Sequence, residues 1–381
     1  AATNCPTGDG DLFVAKFDIA QVGAASLIYL VRIGAGNFCY CKSHGIAVDD
    51  AGNAYVTGSV QMSFGPSLFP VTPGAFDTTF GTGDEGAIGY LLKLGNTLPV
   101  SIVYATYLGP GEAASVATFG GDAFVIGTTF NATFPTTANA LQPTYGGSNT
   151  DAFALRMNAT GTALIYSTFL GGDGQDQGTD IVVNDAGEAF AAGISRGGFP
   201  TSTGGYQPVN AGTFTNDIFL VQLNSSGTDY GCGGSTYVGG SQDEYYGSFY
   251  EFYAPSIALL NVGGQDVVCV VATSHSEDFP TTPGVYEENK VNGIADQPVF
   301  FKLSCATELV AAPTAGFDAT VLPTCTGAFV DFEDTSTNTA QTWSWSFPGG
   351  SPPTSSAQDP QDIVYNDPGI YSVTLVACNA I

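Results

Sequence analysis

Charge is scarce in this chain, and positive charge scarcest of all. Only 11% of the 381 residues are charged, with eight Lys or Arg against 35 Asp or Glu, a net charge of −27. A protein that grips phosphate backbones needs a basic footprint, so nucleic-acid binding is excluded. The same deficit excludes electrostatic attachment to anionic lipid. No stretch approaches the roughly 20 apolar residues of a spanning helix, which excludes insertion by that route. Only two histidines occur, His44 and His275. The chain has no nucleophile elbow, no His-Glu-x-x-His and no phosphate loop. Its eight cysteines form no paired C-x-x-C sites of zinc-finger type. The start, Ala1-Ala2-Thr3-Asn4-Cys5, lacks a basic leader and an apolar run, so a secretion signal is expected to be already removed. Cysteines of this number and spacing fit disulfides in an extracytoplasmic compartment.

What is abundant is glycine, proline and aromatic residues. The 50 Gly, 21 Pro, 26 Phe and 18 Tyr, with many Ser and Thr, favour strands and tight turns over helices. Hydrophobic residues make up 44%, ample for a core. One cassette is written four times: Phe-Pro, small hydroxyl residues, a short gap, then a small residue followed by an aromatic or Leu. It starts at Phe69-Pro70, Phe134-Pro135, Phe199-Pro200 and Phe279-Pro280, at spacings of 65, 65 and 80 residues. A recurring period of this size marks a repeat architecture. The proline fixes its own φ and pushes the preceding Phe out of the helical region. The cassette therefore reads as a buried plug between strands.

After a polar lead over residues 1–10, the units fall near 11–85, 86–150, 151–216 and 217–297. The third is clearest. Residues 151–158 alternate as a first strand, 163–170 form a second, 180–183 a third, and 189–193 a fourth after the turn Asn184-Asp185-Ala186-Gly187. First strands recur at 13–17, 90–94, 153–157 and 219–223. An extra one at 298–304 has no second strand behind it. Four short strands per unit imply antiparallel four-stranded sheets arranged radially, a β-propeller of about four blades, with a solenoid as the competing arrangement.

Lys16, Lys93, Arg156 and Lys302 share one repeat position, where the fourth unit has Gln222. A ligand-binding ring of charge is one reading; pairing with an acid of the next unit is the heavier one in so acidic a chain. The loop Asp173-Gly174-Gln175-Asp176-Gln177-Gly178-Thr179-Asp180 places three carboxylates among glycines. Asp173, Asp176 and Asp180 suit an oxygen-seeking ion such as calcium, although a solvated turn is the commoner role of such loops. Asp243-Glu244 holds the equivalent place in the next unit. Ser274-His275-Ser276-Glu277-Asp278 invites comparison with a hydrolase triad, but adjacency in sequence is not triad geometry. No catalytic residue is assigned.

The strings Tyr166-Ser-Thr-Phe-Leu-Gly-Gly172, Ile46-Ala-Val-Asp-Asp-Ala-Gly-Asn-Ala-Tyr-Val-Thr-Gly58 and Phe134-Pro-Thr-Thr137 resemble the bacterial SBBP-type β-propeller repeat. The resemblance covers about residues 11–304 and implies a secreted or surface-anchored propeller, usually without a catalytic site. Beyond a linker at 305–313, residues 314–381 resemble a PKD domain, an immunoglobulin-like sandwich, through Trp343-Ser-Trp-Ser-Phe347 and Pro368-Gly-Ile-Tyr-Ser-Val-Thr-Leu375. Where that family has Asp before the Phe and Gly-Asp-Gly after it, this chain has Ser346 and Pro348-Gly349-Gly350. The natural chain is expected to continue past Ile381. Within this frame Cys325 would join Cys378 in the sandwich, and Cys5 would join Cys305 to staple the ring. Cys232 with Cys269 and Cys39 with Cys41 would complete the count.

The sequence thus leads to an all-β chain with a propeller and a C-terminal immunoglobulin-like sandwich. The function expected is a non-enzymatic adhesion or assembly scaffold outside a bacterial cell or on its surface. Its partner would be protein, glycan or a second copy of itself. The alternatives are a self-polymerising extracellular filament or sheath subunit that exchanges strands, and a secreted hydrolase with the PKD-like module as an accessory.

Overall fold

The computed structural model describes residues 12–34, 39–62, 69–80, 86–147, 149–244, 254–282, 285, 297–304, 314–324, 327–337 and 342–378. The lead at 1–10 and the linker at 305–313 lie outside them. The chain divides into two compact units, Ala1–Cys305 and Ala306–Ile381.

In the first unit the strands run β1 Leu12–Phe17, β2 Leu27–Ile33, β3 Cys39–Val48, β4 Ala54–Met62, β5 Ala87–Leu94, β6 Ile102–Pro110, β7 Glu112–Phe119, β8 Asp122–Thr129 and β9 Asp151–Met157. They continue as β10 Leu164–Leu170, β11 Asp176–Val183, β12 Ala189–Ser195, β13 Asp217–Leu223, β14 Tyr230–Val238, β15 Ser256–Val262, β16 Gln265–Ser274 and β17 Gln297–Ser304. All pair antiparallel with sequence neighbours, in five sheets: β1-β2, β3 to β6, β7 to β10, β11 to β14, and β15 to β17. Each complete sheet is a four-stranded meander, the blade expected of a propeller.

Sheets and sequence repeats are out of phase. Each complete sheet takes the third and fourth strands of one repeat and the first and second of the next. The cassette is the reason, because it links the fourth strand to the following first strand within one sheet and returns the chain alongside. β6 passes to β7, and β10 to β11, by a short glycine-rich step. Gly109 near the end of β6 and Gly111 just past it hold φ of 125° and 138°, backbone that residues with a Cβ rarely adopt. The phase leaves a two-stranded sheet at the start of the array and a three-stranded one at its end.

Consecutive sheets pack face to face through four apolar cores. One joins Leu12, Val14 and Tyr29 to Tyr90 and Leu92; the next joins Leu91 and Leu108 to Val116 and Phe153. A third joins Phe124 and Ala154 to Phe219 and Val221, and the last joins Phe190 and Leu220 to Val268 and Val270.

The cassette is the plug that its sequence suggested. Phe69, Phe134 and Phe199 are buried and Phe279 is half-buried. Each lies beside an aromatic ring of the following first strand: Phe134 on Phe153 at 4.2 Å, Phe199 on Phe219 at 4.1 Å, Phe69 near Tyr90 at 4.7 Å, and Phe279 near Phe301 at 6.0 Å. The strand opposite makes room with glycine. Gly127 faces Phe153 across the ladder, and a Cβ there would lie 2.6 Å from the ring. Past the plug, the cassette backbone bonds to the outer edge of the sheet, as Thr137 N–H to Ser167 O and Phe169 N–H to Gln142 O, both 3.0 Å. An edge that would otherwise offer unpaired groups is thereby covered.

The second unit contains β18 Phe317–Thr324, β19 Gly327–Asp334, β20 Thr342–Ser346, β21 Thr354–Ser355, β22 Ile363–Tyr365 and β23 Thr374–Cys378. They form two three-stranded sheets, β18-β19-β22 and β21-β20-β23, around Phe332, Trp345, Phe347 and Ile363. Trp345 keeps its indole N–H satisfied by Ala357 O at 2.9 Å. The last strand begins only at Thr374; before it Tyr371 packs its ring 4.4 Å from Tyr365 and donates to Asp367 O at 2.7 Å.

Truncating Phe199 to Ala removes a fully enclosed ring and is expected to cost about 3–5 kcal/mol. Chemical denaturation of the wild type and the Phe199→Ala variant measures the difference; equal midpoints would refute the plug.

Candidate functional site

The shared cationic position is a set of structural pairs. Lys93 Nζ lies 3.4 Å from Asp49 Oδ2, both side chains 8% exposed, and 4.5 Å over the Tyr55 ring. Burial works against ionised Asp49, but hydrogen bonds from Asn53 and Tyr55 and the Lys93 charge hold it below the usual carboxylate range. Arg156 grips Asp122 at 2.8 Å and donates to Ser225 O of the next sheet, also at 2.8 Å. Gln222 donates to Glu188 at 3.0 Å, Lys16 bonds Asn96, and Lys302 lies 5.9 Å from the Phe300 ring centroid. Asp49, Asp122 and Glu188 belong to the preceding repeat, where the sequence reading placed the partner in the following one. The phase of the sheets explains this, since a first strand lies beside the fourth strand of the repeat before it.

The three loop carboxylates considered for calcium do not converge. Asp173 is exposed. Asp180 is a clamp across three sheets: its Oδ1 accepts from Ser115 Oγ of β7 at 2.8 Å, and its Oδ2 accepts from Ser256 Oγ and Ile257 N of β15 at 2.7 and 2.9 Å. Asp176, at the start of β11, is buried and turned towards Asp151, at the start of β9. Among the described residues, no three His, Cys, Asp or Glu side chains gather as a metal site would require.

The Asp176–Asp151 approach was not read from the sequence, and it recurs. Asp151 Oδ1 and Asp176 Oδ2 lie 2.8 and 2.9 Å from the point that a Cβ on Gly171 would occupy. At the next junction Asp217 Oδ1 and Glu244 Oε2 lie 2.7 and 2.8 Å from the corresponding point on Gly239. All four acids are fully buried. Burial pushes Asp176 up to about 7, helped by the Asp151 and Asp173 charges, and pushes Asp151 up to about 6. Burial likewise raises Asp217 and Glu244, and their mutual repulsion raises Glu244 further. The signal available in sequence was an Asp two residues before the first-strand aromatic in two consecutive repeats, Asp151 before Phe153 and Asp217 before Phe219.

The histidines do not assemble a catalytic set. His44 Nδ1 lies 3.2 Å from Ala113 O. Ser274 and Ser276, which flank His275, both donate to Glu244 Oε1, at 3.0 and 2.5 Å, and Asp278 accepts from Ser241. Cys269 stands as a free thiol, so the Cys232–Cys269 bond is not formed; the two cysteines belong to different sheets, on β14 and β16. The remaining expected pairings involve Cys5, Cys305, Cys325 or the side chains of Cys39 and Cys378, which lie outside the described residues. The second unit carries a groove of about 790 Å³ lined mainly by apolar and aromatic residues, among them Phe317, Val330, Phe332, Tyr365 and Tyr371.

A family model for the SBBP beta-propeller repeat matches residues 41–59, which span β3, its turn and most of β4. A second, for the PKD domain, matches residues 316–381. The chain carries an SBBP propeller repeat and a C-terminal PKD domain. No curated protein matches it. The propeller repeat and the PKD domain are together consistent with an interaction protein.

Two outcomes test these assignments. The folded propeller holds its paired acids protonated at pH values where the unfolded chain has released those protons. Stability contributed by that protonation is present at acidic pH and declines as pH rises from about 4 to 8. Asp176→Asn is expected to leave Tm little changed near pH 4 and to raise it at pH 8, flattening the slope of a thermal-unfolding series. Asp180→Ala, which strips charge-assisted bonds from three sheets, should cost about 1.5–3 kcal/mol in urea titration, with EDTA leaving the wild-type midpoint unmoved.

Proposed function

We propose that the chain is a non-enzymatic interaction scaffold that works outside a bacterial cell or on its surface. It binds protein or glycan partners and presents the PKD domain from a propeller-like array. One observation carries the reading. The carboxyl groups whose protonation is most perturbed are buried inside sheet junctions, each with one oxygen hydrogen-bonded within the fold, while the surface offers apolar sheet faces and an aromatic groove. Perturbed groups mark catalysis only where a substrate can reach them, and they arise in structural networks as well.

A second reading, a filament or sheath subunit that exchanges strands, draws support from β17, which pairs with β16 on one side and, among the described residues, with no strand on the other. The decisive experiment combines a glycan and surface-protein binding panel with a peptide and polysaccharide hydrolysis screen on the same preparation. Saturable binding without turnover is the expected outcome. Turnover that disappears in His275→Ala would replace the scaffold with a hydrolase.

A further inference from the structure

The two ends of the array expose the two halves of an interface that the chain builds four times inside itself. Each of the three four-stranded sheets has a near face, packed on the sheet before it, and a far face, packed on the sheet after it. The near face is marked by one repeat position: Tyr90, Phe153 and Phe219, each 0% exposed. The far face is marked by the next position: Leu91 and Ala154 at 0% and Leu220 at 8%.

The first described sheet, β1-β2, buries its far face through Leu12, Val14 and Tyr29, and among the described residues no sheet packs on its other face. Its near-face residue Phe13 is 69% exposed, and Ile28 and Leu30 stand beside it at 42% and 60%. The last sheet of the first unit, β15 to β17, buries its near face through Val268, Val270 and Phe301, and among the described residues of that unit no sheet packs on its other face. Its far-face residues are open: Phe300 at 66%, Val271 at 51% and Leu260 at 47%. Phe300 and Val271 are cross-strand partners, as are their enclosed counterparts Leu220 and Ala192.

We infer that the near face of β1-β2 in one copy of this chain docks on the far face of β15 to β17 in a second copy. The internal junctions identify the occupant. Each of the four enclosed far faces is covered by the near face of the following sheet, and β1-β2 carries an exposed near face of the same kind. The contact is heterologous, a head joined to a tail. Such a contact propagates into a ring if the rotation closes and into a filament if it does not. Apolar side chains grouped on one sheet face are the usual mark of an association surface. The inference rests on the scaffold reading and supplies that scaffold with a partner.

Sedimentation velocity on the full chain over a concentration series tests it. Two variants each spoil one end: Phe13→Glu with Leu30→Glu, and Val271→Glu with Phe300→Glu. All four positions are exposed, and unchanged circular dichroism verifies the fold. The wild type is expected to gain mass with concentration. Each variant alone is expected to stay at the mass of one chain, with association at least tenfold weaker. An equimolar mixture is expected to yield a complex of two chains and nothing larger, because each variant retains the end that the other has lost. A wild type that stays monomeric, whether its ends close on each other or stay apart, would overturn the inference. So would a mixture that stays monomeric, or a variant that associates as the wild type does. Turnover in the hydrolysis screen would remove the scaffold reading without altering these masses.

Discussion

Everything in the first unit depends on a ring being enclosed where strand meets loop. The cassette Phe is held between a first-strand aromatic and the neighbouring sheet, and its proline fixes the direction from which it arrives. The contact sets the spacing between sheets and holds the return loop against the sheet edge. Gly127 and its counterpart Gly193 belong to the same device, because only a residue without a Cβ lets the ring of Phe153 or Phe219 lie so close to the opposite strand. The chain spends its sparse cations in a related way. Lys93 and Arg156 each tie the end of a first strand to the hairpin beside it.

Much of this was legible because periodicity is a one-dimensional signal. The cassette, the first strands and the turn Asn184–Gly187 repeat at readable intervals, and the structure places strands and a hairpin where they were marked. The grouping of strands into sheets was not legible in the same way. A repeat can be cut at any point of its period without altering the pattern, and only hydrogen bonding reveals which cut the sheets use. The same ambiguity misplaced the acids that partner Lys93 and Arg156.

The carboxylates were the harder part. Spacing along a loop groups Asp173, Asp176 and Asp180, yet successive strand residues point to opposite faces and strands diverge from their loops. Asp176 therefore meets Asp151, 25 residues earlier, and Asp180 reaches Ser115 and Ser256 on two other sheets. Nothing local distinguishes a buried acid from a solvated one in a Gly-rich segment. The informative sign was regional: an acid ahead of an otherwise apolar strand, in two consecutive repeats. Two junctions whose buried carboxyl groups keep their protons to higher pH than free acids also bear on the net charge of −27, because burial works against ionisation there.

The offset between repeats and sheets affects how such a chain can grow. Because each repeat is shared between neighbouring blades, inserting or removing one whole period lengthens or shortens the array by one blade and leaves every other blade whole. The partial sheets at the two termini are carried along unaltered. Lineages that duplicate this segment would therefore vary the size of the assembly while conserving the chemistry of its ends.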